Sequence, residues 1–177
     1  MGLLPAVLAR PERWPCFVVL PQKPRQDEEW EEHEALVLAA LAAVEREFRI
    51  DADRVALTGL SQGGHGVWTI GARNPHRFSC LAPVCGYGRP RTIAPRVAHL
   101  PVWAFHGLKD DVVDPEESRR IVAAIQKERQ QRGLDPAGVR LTLYPDANHN
   151  SWDPAYGEPE LPGWLLGHKR TAPEAQR

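Results

Sequence analysis

Residues 58–68 read TGLSQGGHGVW and follow the apolar residues 55–57. Within this stretch, residues 59–63 fit G-x-S-x-G, the pattern of a sharp turn from a strand directly into a helix. Ser61 lies at the centre of that turn, where the backbone is strained, and the glycines two residues to either side remove side chains that would collide. The turn predicts a serine hydroxyl raised above a sheet edge. A plain glycine-rich turn is the alternative, and the rest of the chain decides between the two.

Phosphate-binding patterns do not fit the same glycines. A P-loop requires Lys and then Ser or Thr after its last glycine, but His65 and Gly66 follow Gly64. A dinucleotide fingerprint that starts at Gly64 would need a glycine at position 69, which is Thr69. Phosphate binding by this loop is therefore not predicted.

The composition indicates one globular domain, and we expect residues 1–177 to form it. The formal net charge of −1 favours neither a nucleic-acid partner nor a membrane surface. Three cysteines, Cys16, Cys80 and Cys85, lack a CxxC spacing, so they indicate buried apolar thiols rather than disulfides or a zinc site. No stretch approaches the ~20 apolar residues of a membrane span. With no signal peptide at residues 1–5, the chain is expected to be cytoplasmic.

Short apolar runs alternate with helical segments along the chain. Continuous apolar strands that alternate with helices predict an α/β fold, with a mainly parallel sheet covered by helices on both faces. The tail, 167–177, is expected to fray. The predicted strands are 16–20, 54–58, 78–84, 102–105 and 139–144, and the predicted helices are 31–48, 62–73, 115 to near 133, and 161–166.

Two loops after predicted strands carry the partners that a serine nucleophile needs. Such a serine requires a histidine as base and an acid that orients it, and in this architecture the chain order is serine, acid, histidine. The loop after strand 102–105 contains Asp110 and Asp111, and the loop after strand 139–144 contains His149. Both loops lie at the carboxyl edge of the predicted sheet, where α/β sites form.

Other polar residues receive separate interpretations. The backbone N–H of Gln62, at the start of the helix after the turn, is expected to stabilise an oxyanion. His106 ends an apolar strand and is interpreted as structural, bonded to the backbone at the turn. For His65, lining a pocket and plain packing both remain open. No H-E-x-x-H spacing supports a metal site.

Taken together, five segments resemble the α/β-hydrolase superfamily, and within it the phospholipase/carboxylesterase and predicted-peptidase (esterase-like) group. The resemblance implies Ser61 as nucleophile, His149 as base and no cofactor. It implies an aspartate of an H-G-x-x-D-x-x-V stretch as the third member, which is Asp110 when counted from His106, with Asp111 as the runner-up. The segments are CFVVLPQ (16–22), DRVALTGLSQGGHGVW (53–68), RFSCLAPVCG (77–86), LPVWAFHGLKDDVV (100–113) and YPDANHNSWD (144–153).

The chain departs from that group at its N-terminus, and we expect an α/β-hydrolase core that is short there. The group carries several strands and an H-G-x-G-like loop, the source of a second oxyanion donor, before the segment that matches 16–22. Residues 1–4 resemble the helix after that loop. The missing strand would lie between strands 16–20 and 54–58 and leave an unpaired edge. Strand 16–20 pairing directly, a partner chain in a homo-oligomer, or a truncated reading of a longer gene would each account for it, and we favour the last.

These features predict a serine esterase that acts through an acyl-enzyme on a small-molecule ester. The short connection from Gly86 to Leu100 leaves no room for a large cap, so the site is expected to be open. Trp152, Tyr87 and His65 are candidate pocket residues, which suit short acyl or aryl esters. The alternatives are a poorly active or non-catalytic remnant, and a peptidase or thioesterase that uses the same triad.

Overall fold

A four-stranded sheet forms the centre of the computed structural model, which describes residues 2–170. The strands pair in chain order, β1-β2-β3-β4, and each pairing is parallel. Their carboxyl ends therefore meet at one edge, where open α/β sheets bind ligands. The strands are Ala56–Leu60 (β1), Cys80–Val84 (β2), Val102–Gly107 (β3) and Val139–Tyr144 (β4).

Helices connect the strands and cover both faces of the sheet. Three short 3₁₀ helices lie between the longer elements, and two of them run directly into a helix or a strand. They are Pro11–Arg13, Trp30–His33 and Pro136–Gly138. The α-helices are Leu3–Ala9 (α1), Glu34–Glu47 (α2), Gln62–Arg73 (α3), Pro90–Val97 (α4), Pro115–Gln131 (α5), Trp152–Gly157 (α6) and Leu161–Gly167 (α7).

Two apolar layers, one on each face, hold these elements together. Successive strand residues point to opposite faces: Leu81 and Ala104 join the layer under α2 to α5, whereas Ala82 and Phe105 join the layer under α1, α6 and α7. The predicted fold class, a parallel α/β sheet covered on both faces, is thereby confirmed.

Local signals in the sequence account for several element ends. Helix α3 ends at Arg73, before Asn74-Pro75, because a residue that precedes proline disfavours the helical region. The Asp114 carboxylate caps α5 by accepting the Glu116 N–H at 2.9 Å. Gly133 follows the end of α5 with a φ of 69°, in the left-handed region that favours glycine.

The predicted strand at 16–20 is wrong. Those residues form no ladder, and Phe17 and Leu20 are exposed. A strand needs a partner backbone as well as an apolar, β-branched composition, and within residues 2–170 the only strand paired with β1 is β2. Direct pairing of 16–20 with β1, one of three expected arrangements, therefore does not occur. Cys16 is exposed for the same reason, while Cys80 and Cys85 are buried as predicted.

Further differences concern boundaries and short helices. Strand β1 lies two residues later than the predicted 54–58, so it runs directly up to Ser61. Helices α4 and α6 were not predicted, because Pro90, Pro95 and Pro154 indicate breaks when the sequence is considered alone.

The C-terminal part of the chain is described as far as Arg170. The Arg170 N–H donates to the Asp53 carbonyl at 2.7 Å, and its guanidinium contacts the Asp53 carboxylate. Residues 171–177 of the predicted frayed tail lie outside the described residues. None of the helices in residues 2–170 has the length and apolar character that a bilayer span requires.

Candidate active site

Ser61 occupies the turn between β1 and α3. Its φ of 54° and ψ of −119° are strained for a residue with a side chain. The Ser61 N–H donates to the Val84 carbonyl at 2.9 Å, so the turn is fixed to the end of β2. Backbone strain maintained by its surroundings is typical of functional sites.

The glycines around Ser61 have different reasons to be glycine. A Cβ on Gly59 would lie 2.5 Å from the Gly63 carbonyl oxygen, and one on Gly64 would lie 2.5 Å from the Val84 carbonyl oxygen. A Cβ on Gly63 would meet only Trp30 Nε1, at 3.9 Å. The predicted collision is therefore real at Gly59, whereas the prediction was wrong for Gly63, whose own Cβ position is free.

A continuous line of hydrogen bonds joins three of the predicted site residues. Ser61 Oγ lies 2.9 Å from His149 Nε2. On the other side of the imidazole, His149 Nδ1 lies 2.8 Å from Asp110 Oδ2 and 3.0 Å from Oδ1. The three side chains come from the loops after β1, β3 and β4, so the parallel sheet brings together residues that are distant in sequence.

The loops that carry the aspartate and the histidine are bound to each other. The Lys109 N–H donates to the Ala147 carbonyl and the Leu108 N–H to the Tyr144 carbonyl, both at 2.9 Å. Gly107 permits this contact, because a Cβ there would lie 2.3 Å from the Asn148 carbonyl oxygen. The distance between Asp110 and His149 is thus set by backbone contacts.

Asp110 is held as a buried carboxylate. Burial alone would raise its pKa, but hydrogen bonds from the Val113 N–H, from His149 and from the Val112 N–H outweigh that effect and lower it. Both backbone donors reach Oδ1 at 2.9 Å. Asp111, the runner-up, is exposed. The geometry thus directs Asp110, ionised, towards the imidazole.

A second histidine also contacts Asp110. His106 is fully buried, and its Nε2 lies 3.1 Å from Asp110 Oδ2 and 3.0 Å from the Val113 carbonyl oxygen. Burial lowers the pKa of His106, which favours the neutral ring. Since Nε2 faces two acceptors, it carries the proton, and Nδ1 accepts from the Ser118 hydroxyl at 2.8 Å. Sequence reasoning anticipated a backbone bond at this turn but missed the bond to Asp110.

Gln62 is the first residue of α3, directly after Ser61. At that position its backbone N–H is one of those without a partner inside the helix, at the positive end of the helix dipole. Its side-chain Oε1 accepts a hydrogen bond from the Lys23 ammonium. Sequence reasoning did not single out Lys23, which lies directly after the segment 16–22 and outside every segment used for the resemblance.

The three candidate pocket residues fall into two places. Trp152 meets the His149 ring edge-on, with centroids 5.4 Å apart. The His65 ring stacks on Tyr87 with centroids 4.5 Å apart, and His65 Nδ1 lies 2.9 Å from the Tyr87 carbonyl oxygen. The Tyr87 hydroxyl donates to the Glu29 carboxylate at 2.7 Å. Trp152 thus packs against His149, while His65 and Tyr87 pack together. A role for the three in substrate binding stays a prediction.

One set of potential metal ligands coincides with these residues. Ligand atoms of Cys85, Asp110 and His149 lie within 4.8 Å of one another. A metal would need the Cys85 thiolate, but burial raises the pKa of that thiol to about 11. It would also have to break the 2.8 Å bond between His149 and Asp110. The donor set fits a hydrogen-bonded histidine and aspartate better than a metal centre.

Comparisons with known proteins agree with this architecture. Residues 17–152 match the family model described as "Putative esterase". Over 79 residues the chain is 33% identical to "Acyl-protein thioesterase 1 homolog 2" of Dictyostelium discoideum, an alignment that covers 41% of this chain and 36% of that protein.

Solved structures show the same fold. A thermostable esterase is 32% identical with a TM-score of 0.64, over 76% of this chain and 36% of that one. The acylaminoacyl peptidase of Pyrococcus horikoshii is 12% identical with a TM-score of 0.61, over 81% of this chain and 29% of that one, and shows the fold alone. The chain thus spans about a third of the length of the thioesterase homologue and of the thermostable esterase. Because the family match extends over most of the chain, this protein belongs to the esterase family within the α/β-hydrolase superfamily.

Proposed function

We propose that this protein is a serine hydrolase that cleaves carboxylic esters of short acyl or aryl groups through an acyl-enzyme. The observation that carries the proposal is the hydrogen-bonded line Ser61 Oγ to His149 Nε2, at 2.9 Å, and His149 Nδ1 to Asp110, at 2.8 Å. A plain glycine-rich turn would explain the strained Ser61 backbone but not a histidine and a buried carboxylate in line with its hydroxyl. We take the chain as a single catalytic domain.

In the first half of the reaction, Ser61 Oγ attacks the ester carbonyl carbon while His149 Nε2 takes the hydroxyl proton. The carbonyl π electrons move to the oxygen and give a tetrahedral oxyanion. Collapse of this intermediate breaks the bond to the leaving oxygen, which receives the proton from His149, and the acyl group remains on Ser61. Water then repeats the sequence and releases the acid. Asp110 stays ionised throughout and orients the imidazolium through Nδ1–H.

The oxyanion requires donors at the carboxyl edge of the sheet. The Gln62 N–H, at the positive end of α3, is the proposed donor, and such a donor contributes about 3 kcal/mol to transition-state stabilisation. The low pKa of Asp110 supports the same mechanism, because an ionised carboxylate stabilises the imidazolium that forms during attack.

The proposed substrate class follows from the surroundings of the hydrogen-bonded residues Ser61, His149 and Asp110. Between β2 and β3 the chain holds one short helix, α4, which is far smaller than a cap domain. Trp152 beside the base offers an aromatic surface for a small acyl or aryl group. These features favour a compact ester over a long lipid chain.

A thioester is the second candidate substrate class. The observation that favours it is the 33% identity to a protein named acyl-protein thioesterase 1 homolog 2. The same residues would act, and only the leaving group would differ. Comparing kcat/KM for p-nitrophenyl acetate with that for an acetyl thioester, followed through the released thiol, decides between the two.

A fluorophosphonate probe tests the proposal, because it reacts covalently with activated serines. The wild-type chain should be labelled and Ser61→Ala should not. Ser79→Ala, which removes a buried serine at the start of β2, is the matched control and should be labelled like the wild type. His149→Ala should abolish hydrolysis of p-nitrophenyl acetate. A wild-type chain that is folded by circular dichroism but stays unlabelled would support a non-catalytic remnant and overturn the proposal.

A further inference from the structure

A buried lysine lies next to the turn that carries Ser61. The Lys23 side chain belongs to the loop before α2 and is only 9% exposed. Its ammonium donates to the Gln26 carbonyl at 2.9 Å and to two further oxygens, the Glu28 carbonyl and the Gln62 side-chain Oε1. Three N–H donors thus meet three acceptors, one of which belongs to the residue directly after Ser61.

The acceptors do not neutralise the ammonium. Two are backbone carbonyls and one is an amide, so none carries a formal charge. The carboxylate of Glu28 contacts the Arg25 guanidinium at 3.1 Å, and that of Glu29 accepts from the Tyr87 hydroxyl. The Asp27 carboxylate contacts the same guanidinium at 3.0 Å and interacts with Lys23 through charge alone. The ammonium thus has no hydrogen bond to any of these three carboxylates, and Lys23 brings positive charge to the Gln62 side chain at the start of α3.

Three hydrogen bonds and the Trp30 ring, whose centroid lies 5.9 Å from the ammonium, stabilise Lys23 in its buried position. Burying an ammonium costs several kcal/mol unless its surroundings compensate, and a cation beside a helix N-terminus opposes the helix dipole. A lysine ammonium and a helix N-terminus both attract an anion that binds near them. In the proposed reaction that anion is the tetrahedral oxyanion at the Gln62 N–H.

We propose that Lys23 is a positioning residue for the oxyanion. By bonding to Gln62 Oε1 it fixes the residue whose backbone N–H donates to the oxyanion. Lys23 does not itself touch the substrate, because its three donors are already occupied. This inference rests on the proposed function, since it needs an oxyanion to form.

A purely structural role for Lys23 makes a different prediction. If the lysine only joined its loop to α3, its loss would lower stability and would change KM and kcat without selectivity. A residue that acts on the oxyanion lowers kcat while KM stays nearly constant, because the charge appears only in the transition state.

The test uses Lys23→Met, Gln62→Met and the double variant, with Lys127→Met as control because Lys127 lies exposed on α5. For p-nitrophenyl acetate, each single variant should lower kcat about tenfold, less than the loss of a direct oxyanion donor. KM should change less than about twofold. The affinity for a trifluoromethyl ketone, which forms an oxyanion on the serine, should fall in parallel with kcat. Lys127→Met should match the wild type.

The double variant shows whether Lys23 acts through Gln62. Because the two side chains are bonded to each other, the double variant should lose no more kcat than either single variant. Losses that multiply would overturn the inference, as would a folded Lys23→Met with wild-type kcat. If Lys23→Met does not fold, an unchanged kcat in Gln62→Met overturns it instead. A wild-type chain that fluorophosphonate does not label contradicts the proposed function itself, so the two failures are distinguishable.

Discussion

The strand before Ser61 and the strand before Asp110 are held in different ways. All six residues of β3 are buried, and β3 pairs with a strand on each side. All five residues of β1 are partly exposed, and in the described part of the chain β1 pairs with β2 alone. Asp110 thus follows a fully buried inner strand of the sheet, and Ser61 follows a partly exposed edge strand.

Asp110 and Ser61 are also held in place by different contacts. Asp110 receives hydrogen bonds from two backbone N–H groups and two histidines. The position of Ser61 depends on backbone contacts with the end of β2, namely its N–H bond to the Val84 carbonyl and the close approach of Gly64 to the same carbonyl. The difference teaches that a network of hydrogen bonds within its own turn and to His149 holds Asp110, whereas close backbone contact with the end of β2 holds Ser61. Substitutions on the two sides should therefore fail in different ways.

The largest expected effect lies on the acid side. Asp110→Asn should lower kcat for p-nitrophenyl acetate on the order of 10⁴-fold, because an amide neither orients His149 in the required tautomer nor stabilises the imidazolium. Asp111→Asn, at the exposed neighbour, should stay within about twofold of the wild type. Steady-state kinetics measure both. A larger loss in Asp111→Asn would assign the acid to Asp111.

The next largest effect concerns the turn that carries Ser61. Two glycine substitutions in this turn should change the free energy of unfolding differently. Gly64→Ala should lower the free energy of unfolding by about 3 kcal/mol, since its Cβ would collide with backbone at 2.5 Å. Gly63→Ala should be neutral or stabilising by up to about 1 kcal/mol, because its Cβ has room and alanine favours a helix. Urea unfolding measures both. Equal effects would contradict the account of this turn.

His106→Leu, which removes the Nε2 donor while filling similar space, tests how much of the Asp110 position comes from this second histidine. Losing bonds to Asp110 and the Val113 carbonyl should lower the free energy of unfolding by about 2 kcal/mol. Misplacement of the carboxylate should lower kcat by up to about 10²-fold. Unfolding and kinetics on the same preparation separate the effects. A variant that loses stability but keeps wild-type kcat would show that His106 only packs.

The smallest expected effect is a pH dependence. Burial lowers the pKa of His106 from 6.5, so the unfolded chain binds a proton there at a higher pH than the folded chain. Its contribution to stability is complete above pH 6.5 and is lost as the pH falls through the lowered pKa. Each pH unit in this window costs roughly 1.4 kcal/mol. Urea unfolding between pH 7 and 5 should show a shallower slope in His106→Leu, and an unchanged slope would contradict a neutral His106.

The sequence predicted the elements whose signals are local. Helix α3 and strand β4 have the predicted bounds, because a glycine turn and an Asn-Pro pair mark the ends of the helix, and apolar residues alternate along the strand until Pro145. The strand expected at 16–20 was wrong because pairing depends on a neighbouring backbone, which composition does not reveal. Helix α4 was missed for a different reason: Pro95 lies inside it, and an internal proline normally breaks a helix.

At the site, the order of loops was predictable, whereas the supporting contacts were not. Chain order and sheet topology place Ser61, Asp110 and His149 at one edge. The bond from Lys23 to Gln62 joins residues 39 apart in sequence, and no spacing rule indicates it. The contact between His106 and Asp110 depends on how a buried turn orients two side chains.

The chain-order pairing of the strands also has a consequence for biosynthesis. A protein made from its N-terminus forms its early parts first, and Ser61 is synthesised 88 residues before His149. A nascent chain can therefore build the strained serine turn on β1 and β2 while the base has not yet left the ribosome. The hydrogen bond to Ser61 then forms only in a late step, when β4 adds to β3, so a translation product that stops before β4 would keep the Ser61 turn and lack His149.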